Sequence, residues 1–374
     1  MFRIDRRLVQ NFDWLMLFTA FLISVIGLMT IYSATRQPLM EVSQSPLFMK
    51  QAIWLLIGLG GLIVIMSFDY IWLSRFSVFF YVAGLILLFF VLISGRTGMG
   101  AQRWLTLGPL SFQPSEFFKL IFIIMIAHYY SFSDKMIGIS SLFKTFFVLV
   151  FLPFGLLFKQ PDLGTSLVVL MIFFSMSLAK GLQKKAFMLI IILGIVSLPF
   201  IGNIMWTGLK DYQKNRIVAF IDPSADPAGI GYHINQSKVA IGSGEVFGKG
   251  FLNGTQGPFR FLPEKHTDFI FAVFAEEWGF TGSAFLLALY FLLIMRGLDT
   301  ARKAKDRFGR LLALGITFMF SFYFFINIGM TLGMMPVVGI PMPFMSYGGT
   351  ALLSNYISLG VLINVRTRRF ALFY

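Results

Sequence analysis

Long apolar runs separated by short polar connectors dominate the chain, and their lengths predict helices that cross a membrane. Stretches of about 17–25 apolar residues recur from one end to the other, each long enough to traverse a ~30 Å hydrocarbon core. Ten spans are expected, roughly at 14–34, 51–67, 72–94, 115–130, 144–159, 162–180, 186–203, 268–296, 310–332 and 345–365. The first run, beginning at Trp14, is too long for a cleavable signal and lacks a small-residue cleavage site. Two segments break the apolar rhythm, 95–114 and 204–267, and the second is a long polar loop between spans seven and eight. The expected fold is therefore all-α, a single polytopic membrane unit over residues 1–374.

Charge orients the spans. An even number puts both termini on one side, and the segments there hold 18 Lys and Arg against 5 in the short loops opposite. The positive-inside rule then predicts cytoplasmic termini, with 95–114 and 204–267 facing outward. The formal net charge of +14 fits lipid headgroups better than nucleic acid, because the basic residues cluster in connectors at headgroup depth. No inward segment is long enough for a nucleotide-binding domain. Gly244-Glu-Val-Phe-Gly-Lys-Gly250 lacks the gap and terminal Ser/Thr of a phosphate loop. The chain has no cysteine, so thiolate chemistry and disulfides are excluded, and its three histidines are too dispersed for a metal motif. Ser346-Tyr-Gly-Gly does not form a nucleophile elbow.

Pro153 and Gly155 interrupt the fifth span and Pro161 opens the sixth. Such breaks either line a cavity, where freed carbonyls find partners, or are simple kinks.

Candidate chemistry lies where polar segments enter apolar helices. Asp268 follows Glu264, Lys265, His266 and Thr267 and precedes Phe269-Ile-Phe-Ala-Val-Phe. It is either a helix-starting acid that favours the dipole or a partly desolvated general base. Glu276 and Glu277 would lie about 12 Å deeper at 1.5 Å per residue. At that depth they must face the bundle interior and pair with a cation, for which Lys119, the basic residue placed within a span, is a candidate; a purely structural ion pair is the plainer reading. Glu116 and Lys119 are three apart and share a helical face, so they can satisfy each other. With Arg103 above, they could also form a cationic slot for a phosphate. Asp162, in Gln160-Pro-Asp-Leu-Gly-Thr-Ser166, opens another helix as a cap or a substrate contact. The glycines around 229–257 are turn formers that could also let backbone N–H groups approach an anion.

Several of these stretches together resemble one family. They are Gly100-Ala-Gln-Arg-Trp, Phe112-Gln-Pro-Ser-Glu, Gln160-Pro-Asp-Leu-Gly-Thr-Ser, Gly231-Tyr-His-Ile-Asn-Gln-Ser-Lys, Ala240-Ile-Gly-Ser-Gly, Gly254-Thr-Gln, Leu262-Pro-Glu-Lys-His-Thr-Asp-Phe-Ile-Phe and Pro343-Phe-Met-Ser-Tyr-Gly-Gly. The chain is similar over essentially its whole length to the SEDS family (shape, elongation, division and sporulation). Gly254-Thr-Gln and the short amino terminus favour its elongation branch. Glu245 departs from the pattern, since relatives usually carry glycine there, and little consequence is expected.

The resemblance implies a ten-helix peptidoglycan glycosyltransferase at the outer face of the cytoplasmic (inner) membrane. It would join lipid II, an undecaprenyl-pyrophosphate disaccharide peptide, to a growing glycan strand, working with a class B penicillin-binding protein. By that resemblance Asp268 is the catalytic residue, and Glu116, Lys119 and Asp162 matter for function. The chemistry is consistent. An α-linked pyrophosphate donor and a β-1,4 product require one in-line displacement, with one carboxylate taking the acceptor's proton. Arg103, Lys119, Arg216, Arg260 and Lys265 are candidates to meet the pyrophosphate charge, with His266 and Thr267 beside them. A divalent ion, Mg or Mn, could be held by Glu116 or Asp162, but the chemistry does not demand one. A lipid II flippase and a scaffold for the cross-linking enzyme are the competing readings.

Overall fold

The computed structural model describes residues 11–36, 46–98, 101–107, 110–133, 135–189, 211–222, 229–255 and 265–370. Its helices run up and down. Helix α1 spans Trp14–Thr35, α2 Pro46–Ser67, α3 Ile71–Arg75, α4 Ser77–Ser94, α5 Pro114–Ser131, α6 Ile139–Thr145, α7 Phe151–Lys159 and α8 Leu163–Lys180. Then come α9 (Asp211–Ile221), α10 (Ile230–Ser243), α11 (Ile270–Lys303), α12 (Arg307–Thr331) and α13 (Gly349–Thr367). Seven helical stretches among the described residues are long and apolar enough to cross a membrane: α1, α2, α4, the α6–α7 rod, α8, α11 and α12. The chain is thus a multi-pass membrane protein. Helices α5 and α13 were also expected as spans. They are shorter or more polar, and most of their residues are buried by the other helices. The expected span 186–203 lies almost wholly outside the described residues.

Packing follows the apolar faces. α13 lies along α2, α11 packs on α12 and α1, α4 packs on α5, and α12 contacts both α5 and α8. Small and large residues alternate at these contacts. Gly58 and Gly61 of α2, for example, admit Tyr356, Leu353 and Ile357 of α13. Close approach through glycine is how membrane helices associate without a hydrophobic driving force.

Three expectations are corrected. The segment 95–114 is not helical or irregular throughout. It forms a small antiparallel sheet, β1 (Arg96–Gly98), β2 (Ala101–Leu107) and β3 (Leu110–Phe112), in the order β1-β2-β3, so the protein is mostly helical rather than all-α. The segment 204–267 is likewise not simply a loop, because α9 and α10 occupy much of it. The apolar run 72–94 is broken at Phe76, which separates α3 from α4.

The break in the fifth span has a local cause. Pro153 cannot donate to the carbonyl four residues back and its ring crowds that carbonyl. The chain answers with a π-helical turn at Phe146–Val150. The freed Leu149 carbonyl accepts a 2.7 Å bond from the Tyr81 hydroxyl on α4. The break is therefore a kink closed by a neighbouring helix.

The sharpest irregularity is in α11. Gly279 has φ 62 and ψ −159, splitting an otherwise continuous 34-residue helix. Backbone groups released there are taken up by the segment after α10. Lys249 N and Gly250 N donate to the carbonyls of Glu276 and Glu277 at 3.0 and 2.9 Å, and Phe280 N and Thr281 N donate to Glu245 and Val246 at 2.9 and 3.0 Å. The Gly-rich stretch that superficially resembled a phosphate loop is thus a collar around this kink. Glu245 sits in the collar at φ 46, a left-handed conformation that glycine adopts without cost. The departure from the family pattern at this position therefore has a backbone consequence.

Two stability outcomes are expected. Gly279→Ala drives a methyl group into the Gly248 amide and the Val246 carbonyl at positive φ, and should destabilise by more than about 2 kcal/mol. It would be read as a lowered unfolding midpoint and yield in detergent. Glu245→Gly should move the midpoint the other way, by up to about 1 kcal/mol; a fall would show that the Glu245 side chain outweighs the backbone relief.

Candidate functional site

One end of the bundle gathers the chemistry. The N-termini of α5, α8, α11 and α13 all open there, together with the sheet and the 332–348 connector. Polypeptide N–H groups at helix starts carry positive partial charge, so this end favours anions.

The first cluster forms where α5 and α8 begin. Pro114 stands at the first position of α5, where its missing N–H has no intrahelical partner to lose. One turn in, Glu116 and Lys119 face the same way and form a buried 2.8 Å ion pair. Lys119 also donates to the Tyr323 hydroxyl of α12 and lies 4.3 Å from the centre of that ring. Ser354 of α13 donates to the Glu116 carbonyl at 2.8 Å. Asp162 caps α8: it accepts from Thr165 N at 3.3 Å and Thr165 Oγ1 at 2.9 Å, and from Ser115 Oγ at 3.4 Å. Arg103 reaches down from β2 to Asp162 Oδ1 at 3.6 Å and donates to the Pro161 carbonyl. Both carboxylates therefore face cations of the chain itself. No group of three or more His, Asp or Glu suited to a metal ion occurs among the described residues.

The second cluster surrounds Asp268. Lys265, His266, Thr267 and Asp268 form a partly exposed turn immediately before α11, and Phe269 is already buried. The turn is latched to the 332–348 connector. Ser346 Oγ donates to the Thr267 carbonyl at 2.7 Å and accepts from Met342 N at 2.8 Å, while Tyr347 N donates to the His266 carbonyl at 2.8 Å. Gln51 of α2 holds the far side of the latch, bonding the Ser346 carbonyl at 3.1 Å and Gly348 N at 3.2 Å. Asn327, fully buried on α12, donates to the carbonyls of Asp268 and Ile340 at 3.1 and 2.8 Å. At the centre of the connector, Gly339 has φ 75. A Cβ there would lie 3.4 Å from Asp268 Oδ2 and 3.6 Å from Arg216 Nη1. The carboxylate and the α9 guanidinium thus share one glycine-lined spot.

The two clusters are neighbours through α12 and the connector. Tyr323 touches Lys119 and Asn327 holds Asp268, four residues or about 6 Å apart along one helix face. On the other flank, the Val338 carbonyl and Ile340 lie against Gly164, two residues after Asp162.

Glu276 and Glu277 require a correction. They are fully buried as expected, but neither pairs with Lys119. Glu276 Oε1 meets Lys249 Nζ at 2.7 Å and accepts from Thr255 N and Oγ1 at 2.8 and 2.7 Å. Ser33 of α1 donates to Glu277. The kink at Gly279 brings the collar down to Glu276, so its partners come from a segment that periodicity had left as loop, whereas the partner of Glu277 comes from α1. Arg260 and Glu264 lie outside the described residues.

Several contributors were not expected. Asn327, Tyr323, Ser346, Ser354 and Lys249 all position the carboxylates. Asn327 alone left a signal, as a single amide in the apolar run Phe324-Phe-Ile-Asn-Ile, where an unpaired polar group is costly.

The FtsW/RodA/SpoVE cell cycle protein family model matches residues 13–370. The chain belongs to that family. It is 45% identical over 294 residues to the peptidoglycan glycosyltransferase MrdB of Escherichia coli (strain K12), covering 78% of each chain. It is 31% identical to the peptidoglycan glycosyltransferase RodA of Treponema pallidum (strain Nichols), covering 96% of this chain and 99% of that one. A chain from a peptidoglycan synthase complex that coordinates polymerization and crosslinking superposes with a TM-score of 0.80 at 32% identity, covering 96% of this chain and 98% of the other. The family's fold thus extends across both clusters.

Replacing Asn327 by Leu leaves the Asp268 and Ile340 carbonyls without their donor. A loss of about 1–3 kcal/mol for each is expected, measurable as a lowered unfolding midpoint in detergent. An unchanged midpoint would mean that water or another donor replaces the amide.

Proposed function

We infer that this member of the FtsW/RodA/SpoVE family is a peptidoglycan glycosyltransferase that polymerises lipid II into glycan strands during cell elongation. Relatives named peptidoglycan glycosyltransferases support the enzyme over a flippase. The Gly254-Thr-Gln stretch and the likeness to a RodA support the elongation branch. The orientation is the one charge predicts: termini in the cytoplasm of a bacterium, inner membrane around the spans, reaction at the outer face. A class B penicillin-binding protein is its cross-linking partner, a reading supported by the likeness to a chain from a synthase complex.

The observation that carries the mechanism is the shared position of Asp268 Oδ2 and Arg216 Nη1 beside Gly339. A base and a cation at one spot are what a direct displacement requires. Asp268 takes the proton from the acceptor's 4-hydroxyl as that oxygen attacks the anomeric carbon. The anomeric C–O bond breaks, and the electron pair leaves on the undecaprenyl pyrophosphate. Arg216, with Lys265 and Arg260 from the same segment, meets the growing negative charge, aided by the converging helix N-termini. A pyrophosphate leaves without a proton, so a second carboxylate acid is not needed.

Lys119 takes a different part from the one charge alone suggests. Its ammonium is buried against Glu116 and Tyr323, so it positions α5 and α12 rather than touching phosphate. Arg103 holds Asp162 and with it the start of α8. His266 and Thr267, in the partly exposed turn with Asp268, face the substrate in this reading, while Glu116 and Asp162, buried like Lys119, act from behind it.

Asp268→Asn keeps the shape but removes the base. Polymer formation from purified lipid II should fall by about 10²- to 10⁴-fold, while the unfolding midpoint in detergent stays near that of the unsubstituted protein. Normal polymer from this variant would overturn Asp268 as the base.

A further inference from the structure

The opposite end of the bundle carries a cleft that the glycosyltransferase reaction does not use. It lies where α2 ends, α3 turns and α4 begins, has a volume of about 250 Å³, and is walled by Ile65, Phe68, Tyr70, Trp72, Leu73 and Phe76. Helices α2 and α4 both cross the membrane, so the cleft sits at the boundary where their ends meet headgroups. A Trp and a Tyr in its wall suit that depth.

Its polar wall groups are turned to other tasks. The Tyr70 hydroxyl donates to Asp306, and burial, then Asp306, keeps that phenol above its ordinary pKa and neutral. Asp69 Oδ1 accepts from Ile71 N at 3.0 Å. Asn364 Nδ2 donates to the carbonyls of Ile65 and Phe68 at 2.9 and 2.6 Å. The surface left over is hydrocarbon and aromatic ring, while Phe68, Trp72 and Phe76 remain substantially exposed.

Cations from three separate elements touch this wall. The Arg75 guanidinium lies 5.7 Å from the Trp72 ring centre and Lys305 Nζ lies 5.6 Å from that of Tyr70. Arg368 donates to the Phe68 carbonyl at 3.3 Å. Neither Arg75 nor Lys305 has an ion-pair partner among the described residues. Arg368 stands 3.8 Å from Asp69 and is paired with it. The acids nearby are Asp69 and Asp306, and Asp306 is held by Tyr70 and by Gly309 N at 2.8 Å. An apolar slot rimmed by excess positive charge at headgroup depth matches one molecule: a chain of hydrocarbon with an anion at its head.

We propose that this cleft binds one anionic phospholipid, with an acyl chain against Phe68, Trp72 and Phe76 and its phosphate at Arg75 and Lys305. The site depends on the bilayer placement of α2 and α4 and not on the assignment of Asp268. Each cation near a lipid surface contributes about 1 kcal/mol, or about fivefold in affinity for a charged over a neutral headgroup.

Trp72 supplies the test. The full-length protein is reconstituted in vesicles of phosphatidylcholine containing brominated phosphatidylglycerol, or brominated phosphatidylcholine as the neutral arm. The Trp72-dependent quenching is taken as the difference from Trp72→Phe. The expected result is a preference of about fivefold or more for the anionic lipid, reduced toward unity in the pair Arg75→Ala and Lys305→Ala. Arg75→Lys should keep most of the preference, because charge rather than fork geometry is required. Equal quenching by the two lipids would overturn the proposal. So would a preference that survives loss of both cations, since the charge selection would then lie elsewhere. Unchanged polymer formation from lipid II in the paired variant would confirm that the fold is intact.

Discussion

A carboxylate removed from water inside a membrane protein must find a partner, and this requirement organises both ends of the bundle. Glu116 is matched by Lys119, Asp162 by Arg103 and a helix start, Glu276 by Lys249, and Asp13 by Arg296 and Arg366. All but the Glu116–Lys119 pair, which lies within α5, join elements distant in sequence. Asp13 ties α1 to α11 and α13; Glu276 ties α11 to the collar after α10; Asp162 ties α8 to the sheet. The helices are apolar enough to slide against one another, and these pairs fix their registers.

Backbone groups obey the same rule. Pro153 releases a carbonyl that Tyr81 captures, and Gly279 releases several that the collar captures. Irregular backbone is tolerated at membrane depth where protein supplies the missing partners. The kink also has a geometric effect on α11. It separates the part that begins at Asp268 from the long remainder that packs on α12 and α1. The turn carrying Asp268 is then set by short-range latches: Ser346 on Thr267, Tyr347 on His266, and Asn327 on Asp268 itself.

This arrangement explains how one end can be chemically active while the scaffold stays rigid. α12 is buried along most of its length and carries Tyr323 and Asn327 on one face. A single stiff helix thereby holds the Glu116–Lys119 pair and the Asp268 turn in fixed relation, as the proposed displacement needs. The groups proposed to face substrate lie on turns and helix starts, and the rigidity lies in the helices behind them.

Seven of the ten expected membrane spans recur among the described residues as helices long and apolar enough to cross, because crossing hydrocarbon imposes length and apolarity locally. The same holds for the positions where acids meet apolar helices, Asp268, Glu116 and Asp162, since a charge at such a boundary stands out against its neighbours. The Glu116–Lys119 pair was visible from helical spacing alone. The partners of Glu276 and Glu277 were not, because Lys249 and Thr255 reach Glu276 only when the collar folds around the kink at Gly279, and Ser33 reaches Glu277 only when α1 packs on α11. The sheet over Arg96–Phe112 and the helices α9 and α10 were hidden for a related reason: short amphipathic elements draw their stability from what they pack against. Sequence by itself determined which segments enter the membrane and which residues are chemically conspicuous there. Tertiary structure decided which of them meet, because pairing in a low-dielectric interior depends on three-dimensional proximity that no periodicity encodes.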